Sequence, residues 1–265
     1  MDGIPLGPLL IRWNGLLVIL GFAAGGIVAA REVRRSGKDP EMVLDLVLPL
    51  LIWGSIGARL WHVLTPPLSS IQLGLTTRHY LTHPLDLISI WVGGMGFPGV
   101  LLGGSFGLML FCIKHGFRFS DWADILSPSL VIGYAIGRVG NYINQELYGL
   151  PATVPWKIFI APEKRLAGYE NAGYYHPLFA YDILLNLLIL LALKSISYRG
   201  SDFLRSGEVF GAYLLMYSLA RFGLEFIRLD VSIVLDVNIN QMVALLVFTG
   251  SSVYFMTRNF RWRKL

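Results

Sequence analysis

A single cysteine, Cys112, is all the chain carries, so no intrachain disulfide can brace it; its place near a basic segment suits a small core residue rather than a redox group. Charge is also scarce. Only 15% of the 265 residues are Asp, Glu, Lys or Arg, against 54% hydrophobic, and the mean hydropathy is +0.58. That balance excludes a soluble domain. Several apolar runs approach the roughly 20 residues needed to cross a hydrocarbon core, which excludes a soluble protein with one anchor as well. Lysine and arginine are missing from residues 1–8, which hold Pro5 and Pro8, so the charged segment of a cleaved signal peptide is not expected and the first apolar run is expected to stay. No internal repeat of the inverted kind found in many transporters is visible.

The charge that is present follows a pattern. Apolar runs cover about residues 9–30, 42–64 and 100–113, then run from Ser120 into a motif at Gly137–Gly149, then cover about 178–193, 208–226 and 241–256. Basic groups follow every second run: Arg31, Arg34, Arg35 and Lys38; Lys114 and Arg118; Lys194, Arg199 and Arg205; Arg258, Arg261, Arg263 and Lys264. Cytoplasmic loops are the ones enriched in Lys and Arg, so the N-terminus is expected outside and the C-terminus in the cytoplasm. The expected architecture is an all-α polytopic membrane protein of about seven transmembrane helices, a single membrane domain over residues 1–265 with an external cap at 147–177. Residues 68–90 are too broken to span, and Leu85–Val92 is expected to lie along or dip into the outer surface before the glycine-rich Gly93–Gly99. The net charge of +5 and pI near 9.3 then reflect topology and attraction to anionic membrane lipid, not nucleic acid.

Polar groups inside the spans are few and costly, which makes each a candidate for function. Arg138, Asn141, Asn144, Gln145 and Glu146 arrive at the end of the fourth run, with Tyr134, Arg138, Asn141 and Gln145 on one helical face. Tyr217, Arg221, Glu225 and Arg228 recur on one face of the sixth run at spacings of four, four and three. Counted by helical rise from the cytoplasmic ends, Arg59, Arg138 and Arg221 all fall roughly 20 to 25 Å deep, at one level in the outer half of the bilayer. The acids recognisable nearby, Glu146 and Glu225, are fewer than these cations, so an anion is expected among them. At that depth the available anion is a phospholipid phosphate, whose oxygens match the planar guanidinium fork.

Gly137-Arg138-Val139-Gly140-Asn141-Tyr142-Ile143-Asn144-Gln145-Glu146-Leu147-Tyr148-Gly149 resembles the signature of the prolipoprotein diacylglyceryl transferases, bacterial inner-membrane enzymes. Arg12-Trp13-Asn14-Gly15, Gly57-Ala58-Arg59, Trp91–Gly99, His176-Pro177 with Tyr181-Asp182, and Tyr217–Arg228 are similar to further motifs of that family. The resemblance implies transfer of the diacylglyceryl group of phosphatidylglycerol to the lipobox cysteine thiol in the signal-peptide region of a prelipoprotein, the first step of lipoprotein maturation, in the bacterial inner membrane and with no cofactor or metal. By it, Arg138 and Arg221 hold the phosphate, Asn141 and Glu146 order the headgroup and neighbouring backbone, and Tyr217 and Arg228 complete the outer wall. Arg59, Asn144, Glu225 and Asn14 join the substrate-binding set.

Two positions depart from the family pattern. Pro98 stands where the family has a histidine, the favoured base for the thiol, and Asn14 stands where it has a tyrosine. A thiol among arginines can ionise without a dedicated base. His62, one turn from Arg59, is the candidate substitute base, with aromatic-like packing or interfacial hydrogen bonding as its plainer role. His176 is expected to fix the external segment, and His79, His83 and His115 carry no chemistry. Beside the transferase stand a non-catalytic phospholipid-binding relative and, third, a transporter, against which the lack of a repeat or broken helix pair counts.

Overall fold

The computed structural model describes residues 3–6, 9–90, 93–199 and 205–262, without the side chains of 3–12, 14, 198–199 and 258–262. Asn14 is therefore placed on a helix without its side chain, and Trp91, Arg263 and Lys264 lie outside the described residues. Seven helices of 18 residues or more occur among them: α1 (Trp13–Arg35), α2 (Met42–Leu64), α6 (Phe97–His115), α7 (Phe119–Ile143), α8 (Leu178–Arg199), α9 (Glu208–Glu225) and α10 (Ile239–Trp262). Five are long and apolar enough to cross a bilayer; α7 and α9, which carry Arg138, Asn141, Arg221 and Glu225, are the two that fall short. Leu44, Leu48, Leu60, Leu64, Leu188, Leu191 and Leu246 are exposed while Arg59, Asp182, Arg221 and Glu225 are buried. That inside-out distribution suits hydrocarbon as the surroundings and makes this a polytopic membrane protein.

Several boundaries differ from those expected. Leu9–Arg12 is not the start of a span but the second strand of a hairpin, β1 (Gly3–Leu6) against β2 (Leu9–Arg12), and the helix begins at Trp13. Apolarity alone does not separate a short strand from a helical turn. Arg31, Arg34 and Arg35 belong to the last turns of α1 rather than to a loop, where cations oppose the carbonyl end of the helix. Helix α6 starts at Phe97, inside the glycine-rich stretch, with Pro98 in its first turn, where a residue lacking an N–H costs no hydrogen bond. Residues 68–90 form three short helices, α3 (Leu68–Gln72), α4 (Thr77–Thr82) and α5 (Pro84–Ile88).

Helices pack chiefly as α2 on α6, α1 on α7, α7 and α9 around α8, and α10 on α9. The α2–α6 contact is close enough to require glycine: a Cβ on Gly57 would lie 2.3 Å from the Gly99 carbonyl oxygen. Three connections meet at one end of the bundle. The 147–177 segment carries β3 (Ile158–Phe159) paired with β4 (Tyr174–Tyr175), and β5 (Ile233–Val234) pairs with β6 (Val237–Asn238) beyond α9. Tyr148, Ile160, Leu166 and Tyr175 form a small core with Leu229, and Leu68 packs against it. Backbone bonds from Leu150 to Ile227 and from Leu68 to Val231, with the Asp230 carboxylate accepting from Ser69, tie these connections together. The cap is thus shared by three connections.

Candidate functional site

Beneath the cap, α7, α8 and α9 bring together side chains that hydrocarbon would otherwise expel. From α7, Arg138 forms an ion pair with Asp182 of α8, Nε to carboxylate oxygen 2.7 Å, and donates through Nη1 to Asn141 at 3.0 Å and through Nη2 to the Tyr134 hydroxyl. Tyr134 in turn donates to Asp182 at 2.7 Å, and Asn186, one turn along α8, donates to the other Asp182 oxygen at 3.1 Å. On α9, Arg221 pairs with Glu225 one turn later. Arg228 donates to the same Glu225 oxygen at 3.1 Å, and Asn238 of β6 donates to the other at 3.0 Å. The Tyr134 and Tyr217 rings, one turn before Arg138 and Arg221, meet edge to face at 5.8 Å, so the two groups adjoin.

Paired guanidiniums are not spent. A guanidinium has five N–H donors, and a carboxylate on one edge fixes the direction of the others. Nη1 of Arg221 is buried with no protein acceptor among the described residues. Three guanidiniums here face two carboxylates, Asp182 and Glu225. This corrects the acid count made from the sequence: Asp182 is the counter-ion of Arg138 and was quoted only as a motif neighbour. The surplus of one positive charge is unchanged, with Arg228 counted in place of Arg59 and Asp182 in place of Glu146.

Aromatic side chains wall the site. Phe97 lies 4.2 Å from Tyr134 and 5.4 Å from Tyr217, ring centre to ring centre, so the first turn of α6 reaches it. Phe97 was given no place in the site by the sequence, and Tyr134 and Asp182 were named there without a role. Their signal was spacing: Tyr134 precedes Arg138 by one turn, and Tyr217 precedes Arg221 by one turn, so each arginine rises beside an aromatic ring.

Glu146 follows the end of α7 and accepts from Asn141 at 3.3 Å and Asn144 at 3.4 Å. The residues on either side of it, Gln145 and Leu147, have φ of 54° and 53°, a left-handed conformation that L side chains rarely adopt. Desolvation raises the Glu146 carboxyl above its ordinary range, against the two amide bonds.

Arg59 goes elsewhere. Its guanidinium donates to four backbone carbonyls, those of Leu87 at 2.9 Å, Gly93 at 2.7 Å, Gly94 at 3.0 Å and Asp86. Counting along α2 carries no information about direction around its axis, and the side chain points toward α5 and the glycine-rich stretch. There it clamps the connection in place, which corrects the expectation that it joins Arg138 and Arg221. His62, on the same face, lies 3.2 Å from the Tyr80 hydroxyl and packs against Gly94, where a Cβ would come within 2.7 Å of Nε2. His176 meets the Tyr181 hydroxyl at 3.1 Å, and its backbone bonds to Gly149 and Leu150 hold the cap.

Helices of this length, with a buried arginine–carboxylate cluster gathered toward one end, define a polytopic membrane protein. The chain belongs to the prolipoprotein diacylglyceryl transferase family, whose model matches residues 3–257. It is similar to the phosphatidylglycerol–prolipoprotein diacylglyceryl transferase of Synechococcus elongatus, 35% identical over 245 residues that cover 91% of this chain and 81% of that protein. The protein of the same name from Gloeobacter violaceus is 34% identical over 243 residues, 91% of this chain and 86% of its own. That from Leifsonia xyli is 36% identical over 231 residues, 86% of this chain and 68% of its own.

Proposed function

We propose that this protein transfers the diacylglyceryl group of phosphatidylglycerol to the lipobox cysteine thiol of a prelipoprotein in the bacterial inner membrane. The observation that carries the reading is that the buried Arg138–Asp182 pair and the Arg221–Glu225–Arg228 group adjoin through the Tyr134 and Tyr217 rings. The thiolate attacks the glycerol carbon that bears the phosphate; the new bond is a thioether, and the broken carbon–oxygen bond leaves glycerol phosphate. Negative charge grows on the departing phosphate. Guanidiniums placed in advance stabilise that charge more in the transition state than in the bound lipid.

Arg138 and Arg221 hold the phosphate, and Arg228 and Tyr217 close the outer wall. Asn141, Asn144 and Glu146 order the glycerol headgroup, with Glu225 setting the direction of Arg221 and Arg228. His62 accepts the thiol proton. The imidazole rests on the glycine-rich stretch, beside Arg59 and Tyr80, and the role requires the thiol to reach it from that side, since Pro98 carries no proton-accepting side chain. The N-terminus lies outside and the C-terminus in the cytoplasm, supported by the basic ends of α1 and α6.

Pro98 favours a second reading, a phospholipid-binding relative without turnover. Purified protein with labelled phosphatidylglycerol and a lipobox peptide separates the two. A thioether product that disappears in His62→Ala is expected; saturable lipid binding without product, and turnover only in Pro98→His, is the outcome of the second reading.

A further inference from the structure

At the opposite end of the bundle from the arginine site, a groove of about 230 Å³ opens between α2 and α6. Its floor is apolar: Ile52, Trp53 and Leu110 line it, and Trp53 is held edge-on by Phe106 at 4.6 Å. Its mouth carries opposite charges, Asp45 from the first turn of α2 and Lys114 from the last turn of α6. They stand in one mouth without being an ion pair among the described residues, since the pairs formed lie elsewhere. Pro49, also in the groove, sits inside α2 and has no N–H, so the Asp45 carbonyl lacks its helical donor four residues on. Two acceptors, the Asp45 carboxylate and the Asp45 carbonyl, therefore share the groove with Lys114, and His115 completes its polar lining.

We infer that this groove is a lipid site for a phospholipid with an amine headgroup, phosphatidylethanolamine, taken from the leaflet at the basic ends of the helices. The ammonium meets the two Asp45 acceptors, the phosphate meets Lys114, and an acyl chain lies along Ile52, Trp53 and Leu110. Charge complementarity selects this occupant. A purely anionic headgroup could place its phosphate on Lys114 but would leave Asp45 without a cation, and a choline headgroup has no N–H to donate. Exposed Leu48 on α2 continues the trough onto the lipid-facing surface, so a chain enters sideways from the bilayer. The site is separate from the arginines and does not depend on the transfer reaction.

Full-length protein in phosphatidylcholine nanodiscs, titrated with acyl-brominated phosphatidylethanolamine or phosphatidylglycerol, tests this through the quenching of Trp53, read as wild type minus Trp53→Phe. Quenching by the ethanolamine lipid is expected at a mole fraction about threefold to fivefold lower than by the glycerol lipid, and Asp45→Asn is expected to erase the difference. Equal quenching by both lipids would mean ordinary boundary lipid, and stronger quenching by phosphatidylglycerol would mean a simple anion site; either overturns the inference. Should Trp53→Phe not fold, native mass spectrometry of the wild type and Asp45→Asn decides. Ethanolamine lipid retained by the first and lost by the second supports the site, and none retained by the wild type overturns it.

Discussion

Arg138 makes three different contacts at once, to a carboxylate, an amide oxygen and a phenol, and a lysine ammonium cannot reproduce that planar set. Arg138→Lys is expected to keep the charge and lose the direction. Thioether formation should fall by about 100-fold or more, the scale of a lost transition-state donor, and phosphatidylglycerol affinity should drop; unchanged affinity would count against a forked phosphate contact. Glu146 carries a different signature. A carboxyl whose folded pKa is raised binds protons more tightly folded than unfolded, so folding stability declines as pH rises from about 4.3, the free value, through the folded one. Glu146→Gln removes that decline. Thermal unfolding in detergent from pH 4 to 7 should show a shallower slope for the variant, and parallel slopes would remove Glu146 as the source.

At the scale of elements, the helices that build the site are the ones least suited to lipid. α7 and α9 give up apolar length to carry arginine, asparagine and glutamate, and are shielded by α8, α1 and α10 packed against them. Such an arrangement needs tight contacts elsewhere, and α2–α6 supplies one. Gly57→Ala puts a Cβ against the backbone of α6, where no side chain can yield; a loss of about 1 to 3 kcal/mol is expected from unfolding measurements. Gly26→Ala on α1, with nothing within 4 Å, is the matched control and should be neutral or gain up to about 1 kcal/mol from helix propensity. Equal effects at the two positions would mean that the close approach does not bear on stability. Arg59 belongs to this scale too: by gathering the carbonyls of α5 and of the glycine-rich stretch it fixes where α6 begins, and hence where Phe97 meets Tyr134.

For the whole molecule the proposed orientation makes a direct prediction. In a Cys112→Ser background, Leu235→Cys at the tip of the β5–β6 hairpin, 92% exposed, should be labelled by a membrane-impermeant maleimide from outside intact cells. Glu41→Cys before α2 should react only after the membrane is opened; the reverse pattern would invert the topology. Much of this architecture was legible beforehand. Seven apolar runs became seven long helices within a few residues, because the length and apolarity a bilayer demands are properties of local sequence. Asp182 was legible only as a letter in a motif, since a helix end can aim a carboxylate in many directions, and the hairpin at Leu9–Arg12 was hidden by its apolarity. What the sequence by itself determined is that this chain lives in a membrane, because hydrocarbon penalises every charge regardless of its neighbours. Only the tertiary structure decided which arginines meet. Depth follows from counting residues along one helix, whereas direction around the axis follows from how that helix packs against others, and that is why Arg138 and Arg221 share a site while Arg59 holds a loop.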